Sequence, residues 1–213
     1  MPYRLAIFDF DGTLADSFPF FLQVHNALAR KHGFPEVAPH EVPALRALPT
    51  RELAARAGLP TWRLPVVARD FIGHMHRAPP VPLFEGVDAA LCGLRDAGVR
   101  LAMVTSNARA NVERVIGPDL LAGFAHIDCG ASMFGKAARL RRVLRTLGVP
   151  AQHALYIGDQ TADAEAARAA GMDFGAVHWG YATPAVLLAM QPAQAFEQPA
   201  DLLRLAARAT IAG

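Results

Sequence analysis

Two carboxylates, Asp9 and Asp11, stand at the end of an apolar segment and directly before a glycine. The segment 5–10 has the length of a buried strand, and Gly12 allows the chain to turn sharply. Residues two apart on an extended segment share a face, so the two acidic side chains project together. Like charges this close repel unless a cation lies between them or one acid keeps its proton. The pair therefore predicts a chemical site, with a metal ion as the expected reason for it.

This stretch has two other interpretations, a structural turn and a calcium-binding loop. Asp and Gly are ordinary turn formers, so Asp9-x-Asp11-Gly12 alone is also compatible with a structural turn. An EF-hand calcium loop needs Gly at its sixth position and Glu at its twelfth, whereas the twelfth residue here is Phe20. The pattern disfavours the EF-hand and leaves the turn as the alternative to a site.

Four segments of the chain, in order, resemble the motifs of one enzyme family. They are Asp9-x-Asp11-Gly12-Thr13-Leu14-x-Asp16-Ser17, Thr105-Ser106-Asn107, Lys136, and Gly158-Asp159-x-x-x-Asp163. Together they resemble the haloacid dehalogenase-like (HAD) hydrolases, most of which are magnesium-dependent phosphatases. Three of the four follow directly after strand-like runs, and the resemblance covers nearly the whole chain.

The resemblance implies the catalytic roles. Asp9 attacks phosphorus and forms an aspartyl-phosphate. Asp11 protonates the leaving alkoxide and then deprotonates the hydrolytic water.

The resemblance also implies Mg²⁺ as the cofactor. Its expected ligands are Asp9, the backbone carbonyl of Asp11, and Asp159. Asp163, four residues further on, suits a water-mediated or more distant role, and an acid near a helix N-terminus is alternatively only a partner of the helix dipole.

Four residues are expected to bind the phosphate group: Thr105, Ser106, Asn107 and Lys136. A strand-end Thr followed by Ser-Asn is also an ordinary helix cap, so this motif alone is weak. Lys31 and Lys136 are the only lysines beside 19 arginines (21 Lys+Arg in all), which favours a role for a compact ammonium at Lys136.

Asp11 narrows the branch of the family. The dehalogenases and the phosphonate-cleaving members resemble this chain less, because they have a non-acidic residue at that position. A sugar phosphomutase keeps both aspartates but carries a cap-hinge histidine where this chain has Phe21. The chain is most similar to phosphoglycolate phosphatase-like members, through 17–19 and 177–181; a mutase and an inert phospholigand-binding protein remain the alternatives.

Three residues outside the motifs are candidates for substrate contact. Arg51 lies where helical-cap members of the family place a specificity loop, and a guanidinium suits a carboxylate or hydroxyl leaving group. Trp179 and Tyr181 are equally well explained as packing residues.

Charge and cysteine content disfavour nucleic acid or membrane partners and zinc or redox sites. A net charge of +2, from 21 basic and 19 acidic residues without a long basic run, disfavours nucleic acid and membranes as partners. Cys92 and Cys129 are far apart and have no zinc or redox pattern around them. The expectation is a cytoplasmic monomer or homodimer that acts on a small phosphorylated metabolite.

The order of patterns predicts an α/β fold: a doubly wound parallel sheet, Rossmann-like as in the HAD core, with an inserted helical cap. The core comprises residues 1–16 and 81–213, and the cap comprises 17–80. The expected strands are 5–10, 100–105, 125–128, 154–158 and 174–178. The expected helices are 19–33, 50–57, 62–76, 87–97, 110–117, 137–147, 161–170 and 199–211.

Overall fold

The computed structural model describes residues 3–56, 66–67, 69–70, 73–74, 79–130 and 135–207. Within them the strands are β1 (Leu5–Phe8), β2 (Arg100–Val104), β3 (Phe124–Asp128), β4 (Ala154–Gly158), β5 (Asp173–Val177) and β6 (Gln194–Phe196). They form one parallel sheet in the order β3-β2-β1-β4-β5-β6. The doubly wound α/β fold predicted from the sequence is confirmed.

Helices connect the strands and cover both faces of the sheet. They are α1 (Phe18–His32), α2 (Val42–Arg46), α3 (Thr50–Arg56), α4 (Val87–Asp96), α5 (Arg109–Leu121), α6 (Lys136–Leu147), α7 (Thr161–Ala170), α8 (Pro184–Ala189) and α9 (Arg204–Ala207). Short 3-10 turns occupy Pro39–Glu41, Ala151–His153 and Pro199–Leu203. In the described part of the chain, no helix is both long and apolar enough to cross a membrane.

Strand β1 lies at the centre of the sheet and is apolar on both faces. Ala6 and Phe8 pack into the cluster beneath α4, α5 and α9, whereas Leu5 and Ile7 pack into the cluster beneath α6, α7 and α8. All four side chains are fully buried. This double burial explains why β1 is a continuous apolar run instead of an alternating one.

The segment between β1 and α4 leaves and rejoins the sheet at one place. The Asp16 amide donates to the Pro82 carbonyl, and the Phe84 amide donates to the Leu14 carbonyl, at 2.9 and 3.0 Å. Beyond this crossing, Val24 and Leu28 of α1 form an apolar cluster separate from the two that cover the sheet.

Most predicted elements agree with the structure to within one or two residues, but four regions differ. Helix α2 was not predicted, since it is only five residues long. Helix α5 runs on to Leu121 past a break at Gly117, where φ is 74°, and Pro118 begins the next turn. Strand β6 was not predicted because it is only three residues long. Helix α8 was not predicted because the sequence before it has no regular apolar pattern. The predicted tail helix begins as the 3-10 turn Pro199–Leu203, and α9 follows it. The predicted helix 62–76 and the end of the tail fall largely outside the described residues.

Candidate active site

The carboxyl ends of neighbouring parallel strands bring the motif residues together. Asp9 follows β1, Thr105 follows β2 and Asp159 follows β4, which are the three central strands of the sheet. The ladder continues one residue further, because the Asp9 amide donates to the carbonyl of Ile157 at 2.9 Å. Side chains from three separate segments therefore meet at one edge of the sheet, as expected for open α/β folds.

Lys136 is the buried cation of this cluster. Its Nζ donates to Asp9 Oδ2 and to Asp163 Oδ1, both at 2.8 Å, and the side chain is only 5% exposed. Helix α6 begins at this residue, directly after Gly135. Burial alone would lower the pKa of Lys136, but Asp163 and Asp9 outweigh it and raise that pKa well above its usual value. The two carboxylates therefore favour the charged ammonium.

Asp163 is held by three donors at once. Its Oδ1 accepts from Lys136 and from the hydroxyl of Tyr156, the latter at 3.2 Å, and its Oδ2 accepts from the Gln160 amide at 3.1 Å. Tyr156 lies on β4 with its side chain completely buried, and its pattern in the sequence is that of an ordinary core residue. This support for the lysine pair was missed because nothing in an apolar strand distinguishes such a tyrosine.

Asp159 is completely buried and is bound on both oxygens. The Thr13 hydroxyl donates to Oδ1 at 3.0 Å, and the Tyr181 amide donates to Oδ2 at 2.7 Å. Gly12 has φ of 76°, and a Cβ there would lie 2.2 Å from Asp159 Oδ2. A Cβ at Gly180 would lie 2.2 Å from the Cβ of Asp159. Both glycines are required for the close approach of the backbone to this carboxylate.

Three carboxylates form a set suited to a hard cation. Oxygens of Asp9, Asp159 and Asp163 lie within 4.8 Å of one another, and all three residues are buried. Burial raises the pKa of Asp9 to about 7 against the opposing effect of Lys136, and burial and Asp163 raise that of Asp159 well above its usual value. Buried acids that resist ionisation gain most from a divalent ion with oxygen preference, so the donor set fits Mg²⁺.

The carboxylate of Asp11 faces a different partner. Its Oδ2 accepts from the side-chain amide of Asn107 at 2.9 Å. Burial raises the pKa of Asp11, while the hydrogen bonds from Asn107 and Ser17 oppose that rise. Asn111, which sequence reasoning missed, donates from its side-chain amide to Oδ1 of Asn107 at 3.1 Å. This contact orients the side-chain amide of Asn107 toward Asp11. Asp11 thus lies two residues from Asp9 in the chain, but its carboxylate has a different hydrogen-bond partner.

The segment 105–107 turns the chain from β2 toward α5. Thr105 is fully buried, and its Oγ1 accepts from the Asn107 amide at 3.0 Å, which leaves the hydroxyl proton to donate elsewhere. Ser106 is exposed, so its amide and hydroxyl are accessible from solvent. Of the four residues predicted to bind phosphate, Asn107 contacts Asp11 and Lys136 contacts Asp9.

Arg51, by contrast, forms an exposed ion pair. Its guanidinium donates twice to Glu165 of α7, at 2.9 and 3.1 Å, and the side chain is 70% exposed. Another arginine, Arg46, reaches the core: it donates to the carbonyls of Tyr181 and Gly180 at 2.8 and 2.6 Å. The proposed substrate contact of Arg51 stays a prediction, and Arg46 was not found from the sequence because a lone arginine carries no pattern.

A sequence profile of haloacid dehalogenase-like hydrolases matches residues 6–177, which is most of the chain. The chain belongs to this family. It is accordingly an enzyme, a hydrolase of the phosphatase type, and the resemblance found in the four motifs is confirmed.

The named relatives do not all share one activity. A phosphoglycolate phosphatase of Synechococcus elongatus is 34% identical over 94% of this chain and 96% of its own length. A tyrosine-protein kinase, PtkA of Mycobacterium tuberculosis, is 31% identical over 84% of this chain and 63% of its own length. A crystal structure from Lactobacillus plantarum, described as a phosphoglycolate phosphatase of unproven function, superposes with a TM-score of 0.83 at 24% identity and covers 96% of this chain and all of that one. This last likeness shows the fold.

Proposed function

We propose that this chain is a magnesium-dependent hydrolase of a small phosphomonoester, similar to the phosphoglycolate phosphatases, and that it acts through an aspartyl-phosphate. One observation carries the proposal: Lys136 holds Asp9 from one side while oxygens of Asp159 and Asp163 approach Asp9 within 4.8 Å. A nucleophilic carboxylate needs fixed positive charge around it, because phosphoryl transfer accumulates negative charge on the equatorial oxygens.

Asp9 is the nucleophile in this proposal. One carboxylate oxygen accepts from Lys136, which fixes the orientation of the group without removing its lone pairs. In-line attack on phosphorus forms a bond from a carboxylate oxygen of Asp9 to phosphorus, which gives the aspartyl-phosphate, an acyl phosphate, and breaks the bond to the alkoxide of the substrate. The ammonium of Lys136 then lies beside the transferred oxygens.

Asp11 is the acid and base. The raised pKa of its carboxyl favours the protonated form that must donate to the leaving alkoxide. Asn107 donates to Oδ2, so the other oxygen is available for the proton transfer. The same carboxylate then takes a proton from the water that hydrolyses the aspartyl-phosphate. The hydroxyl of Thr105 and the amide of Ser106 bind the phosphoryl oxygens, while the Asn107 amide donates to Thr105 Oγ1 and fixes that hydroxyl.

Mg²⁺ would be held by Asp9 and Asp159, with the backbone carbonyl of Asp11, while Asp163 keeps Lys136 in position. When bound, the ion supplies positive charge that neutralises the acids and the phosphate dianion. The residues on which its site depends include Thr13 and Tyr181, because they orient Asp159.

Residues 17–80 act as a helical cap in this proposal, and the rest of the chain forms the catalytic core. The crossing of the two connecting segments at Asp16 and Pro82 supports a boundary there. A phosphomutase is the weaker candidate, because Phe21 has no group that can transfer a proton.

The proposal is tested by measuring phosphate release from a panel of small phosphomonoesters with Mg²⁺ and with chelator. We expect release with several esters, its loss in chelator, and its return with added Mg²⁺. Full activity in chelator would contradict the metal role, and absence of release from every ester would contradict the hydrolase. A catalytic Asp9→Asn variant should be inactive, whereas Asp96→Asn, at an exposed position on α4, should be unaffected.

A further inference from the structure

A cavity of about 340 Å³ lies between the helices of 17–56 and the loop that follows β5. Its apolar lining includes Phe18, Phe21, Val42, Leu45, Leu48 and Leu53. At roughly 30 Å³ per water molecule, the cavity has room for about ten waters, and it falls within the ~300–1,000 Å³ range of small-molecule sites.

The cavity adjoins the acid cluster at Tyr181 and at Gln160, whose amide binds Asp163. The Tyr181 ring forms part of its wall, the Tyr181 amide binds Asp159, and the hydroxyl lies 2.9 Å from the Ser17 hydroxyl. Ser17 in turn bonds to Asp11. The cavity therefore borders the segment that positions Asp159.

Aromatic rings form the wall nearest the acids. The rings of Phe18 and Phe21 lie against Tyr181, with centroids 5.1 and 5.8 Å away. Phe21 is 41% exposed, which is unusual for a large apolar side chain. An exposed phenyl ring at a cavity wall is a surface on which an apolar group gains by burial.

The charges at the cavity do not favour an anion. Arg46 and Arg56 are matched by Glu36 and Glu41, so the formal charges of these groups cancel. The Arg46 guanidinium is already bound to the carbonyls of Gly180 and Tyr181. A carboxylate in this space would exchange its hydration for a lining that is mostly apolar.

We propose that the cavity binds an uncharged, apolar part of the phosphorylated ligand, of about the size of a phenylalkyl group, and that it disfavours the carboxylate of phosphoglycolate. This inference rests on the proposed phosphomonoester chemistry at Asp9. It differs from what the phosphoglycolate phosphatase relatives would suggest, because a two-carbon acid would leave most of the cavity empty.

The first test compares two alkyl esters that differ in this part of the molecule, 2-phenylethyl phosphate and 2-phosphoglycolate. Their leaving oxygens are both aliphatic, so the comparison reports on recognition. We expect kcat/KM to be higher for the phenylethyl ester by ~10-fold or more, as burial of a ring implies. A preference for 2-phosphoglycolate would overturn the inference and leave the phosphatase proposal standing.

The second test measures binding without turnover, by calorimetry in the presence of Mg²⁺. The ligands are the non-hydrolysable analogues 3-phenylpropylphosphonate and 3-phosphonopropionate. The phenyl compound should bind more tightly by ~10-fold or more. If no ester is hydrolysed but this difference is found, the hydrolase proposal fails and the apolar site stands; if the two analogues bind equally, the inference fails.

Two variants locate the effect in the cavity. Val42→Phe fills the space and should remove the preference for the phenyl ligand while retaining binding of 3-phosphonopropionate. Phe21→Ala removes part of the aromatic wall and should weaken the same preference, which keeps the test valid if Val42→Phe does not fold. Leu188→Phe, at a 51% exposed position on α8, is the matched control and should change the binding of neither ligand. An unchanged preference in both cavity variants would overturn the inference.

Discussion

The cluster of buried acids (Asp9, Asp159 and Asp163) and the cavity next to it differ in how their polar groups are arranged, although Tyr181 borders both. In the cluster, polar groups are buried and each has a specific partner, as Lys136 has in Asp9 and Asp163. In the cavity, the walls are apolar and the nearest arginine, Arg46, is bound to backbone carbonyls. In the proposed account, the fixed charge acts on the phosphoryl group, and the rest of the ligand is recognised by shape and by burial of apolar surface.

Removing the cation from the cluster should have the largest effect. Lys136→Met leaves Asp9 and Asp163 without their buried partner, which should lower the rate by ~10²–10³-fold and destabilise the fold by about 3–5 kcal/mol. Phosphate-release kinetics and urea unfolding measure the two losses separately. Lys31→Met is the matched control, because Lys31 is 60% exposed and pairs with Asp70 on the surface. A similar loss of rate in both variants would remove Lys136 from the site.

A methyl group at Gly12 should damage the cluster through Asp159. Gly12→Ala and Gly171→Ala both impose a left-handed conformation on alanine, since φ is 76° and 74°, at a cost of about 1–2 kcal/mol. Only at Gly12 would the new Cβ meet a carboxylate oxygen, so only Gly12→Ala should also weaken activation by Mg²⁺. Titrations of activity with Mg²⁺ report this directly. Equal Mg²⁺ dependence in the two variants would contradict the close approach at Asp159.

The stabilisation of the protein by Mg²⁺ should depend on pH. Burial raises the pKa of Asp9 from 3.8 to about 7 and raises that of Asp159, so the metal-free fold keeps protons that the unfolded chain has lost. The stability of the metal-free protein should therefore fall as pH rises from about 4 to 7. Because these protons compete with the ion, the rise in Tm on adding Mg²⁺ should be larger at pH 8 than at pH 6. An equal rise at both values would contradict the assignment of these acids to the metal.

The smallest effect is expected at the cap arginine chosen from the sequence. Arg51→Ala removes an exposed pair with Glu165, which is worth only about 0–1 kcal/mol, and should change kcat/KM for either ester by less than about twofold. Arg46→Ala should reduce activity more, since it releases the loop whose Tyr181 amide holds Asp159. A tenfold loss confined to 2-phosphoglycolate in Arg51→Ala would restore that arginine as a substrate contact and count against the apolar cavity.

The sequence predicted the strands and their motif residues better than the tertiary contacts, for a physical reason. Strand β1 is apolar on both faces and ends at two aspartates, so its place and its role are both encoded locally. The partners Tyr156, Asn111 and Arg46 reach the site only through tertiary contacts, and none of them belongs to a local pattern. The cavity is likewise a product of how α1, α2 and α3 pack, which no short stretch specifies.

The central claim is that the phosphoryl group of the substrate is transferred to Asp9. The most direct measurement is mass spectrometry of the Asp11→Asn variant, quenched rapidly after mixing with 4-nitrophenyl phosphate and Mg²⁺. This variant retains the nucleophile but lacks the base for hydrolysis, so a phosphoryl group should accumulate on the peptide that contains Asp9, and it should be absent when Asp9 is also changed to Asn. A phosphoryl group on another residue, or one that persists after the Asp9 change, would contradict the account.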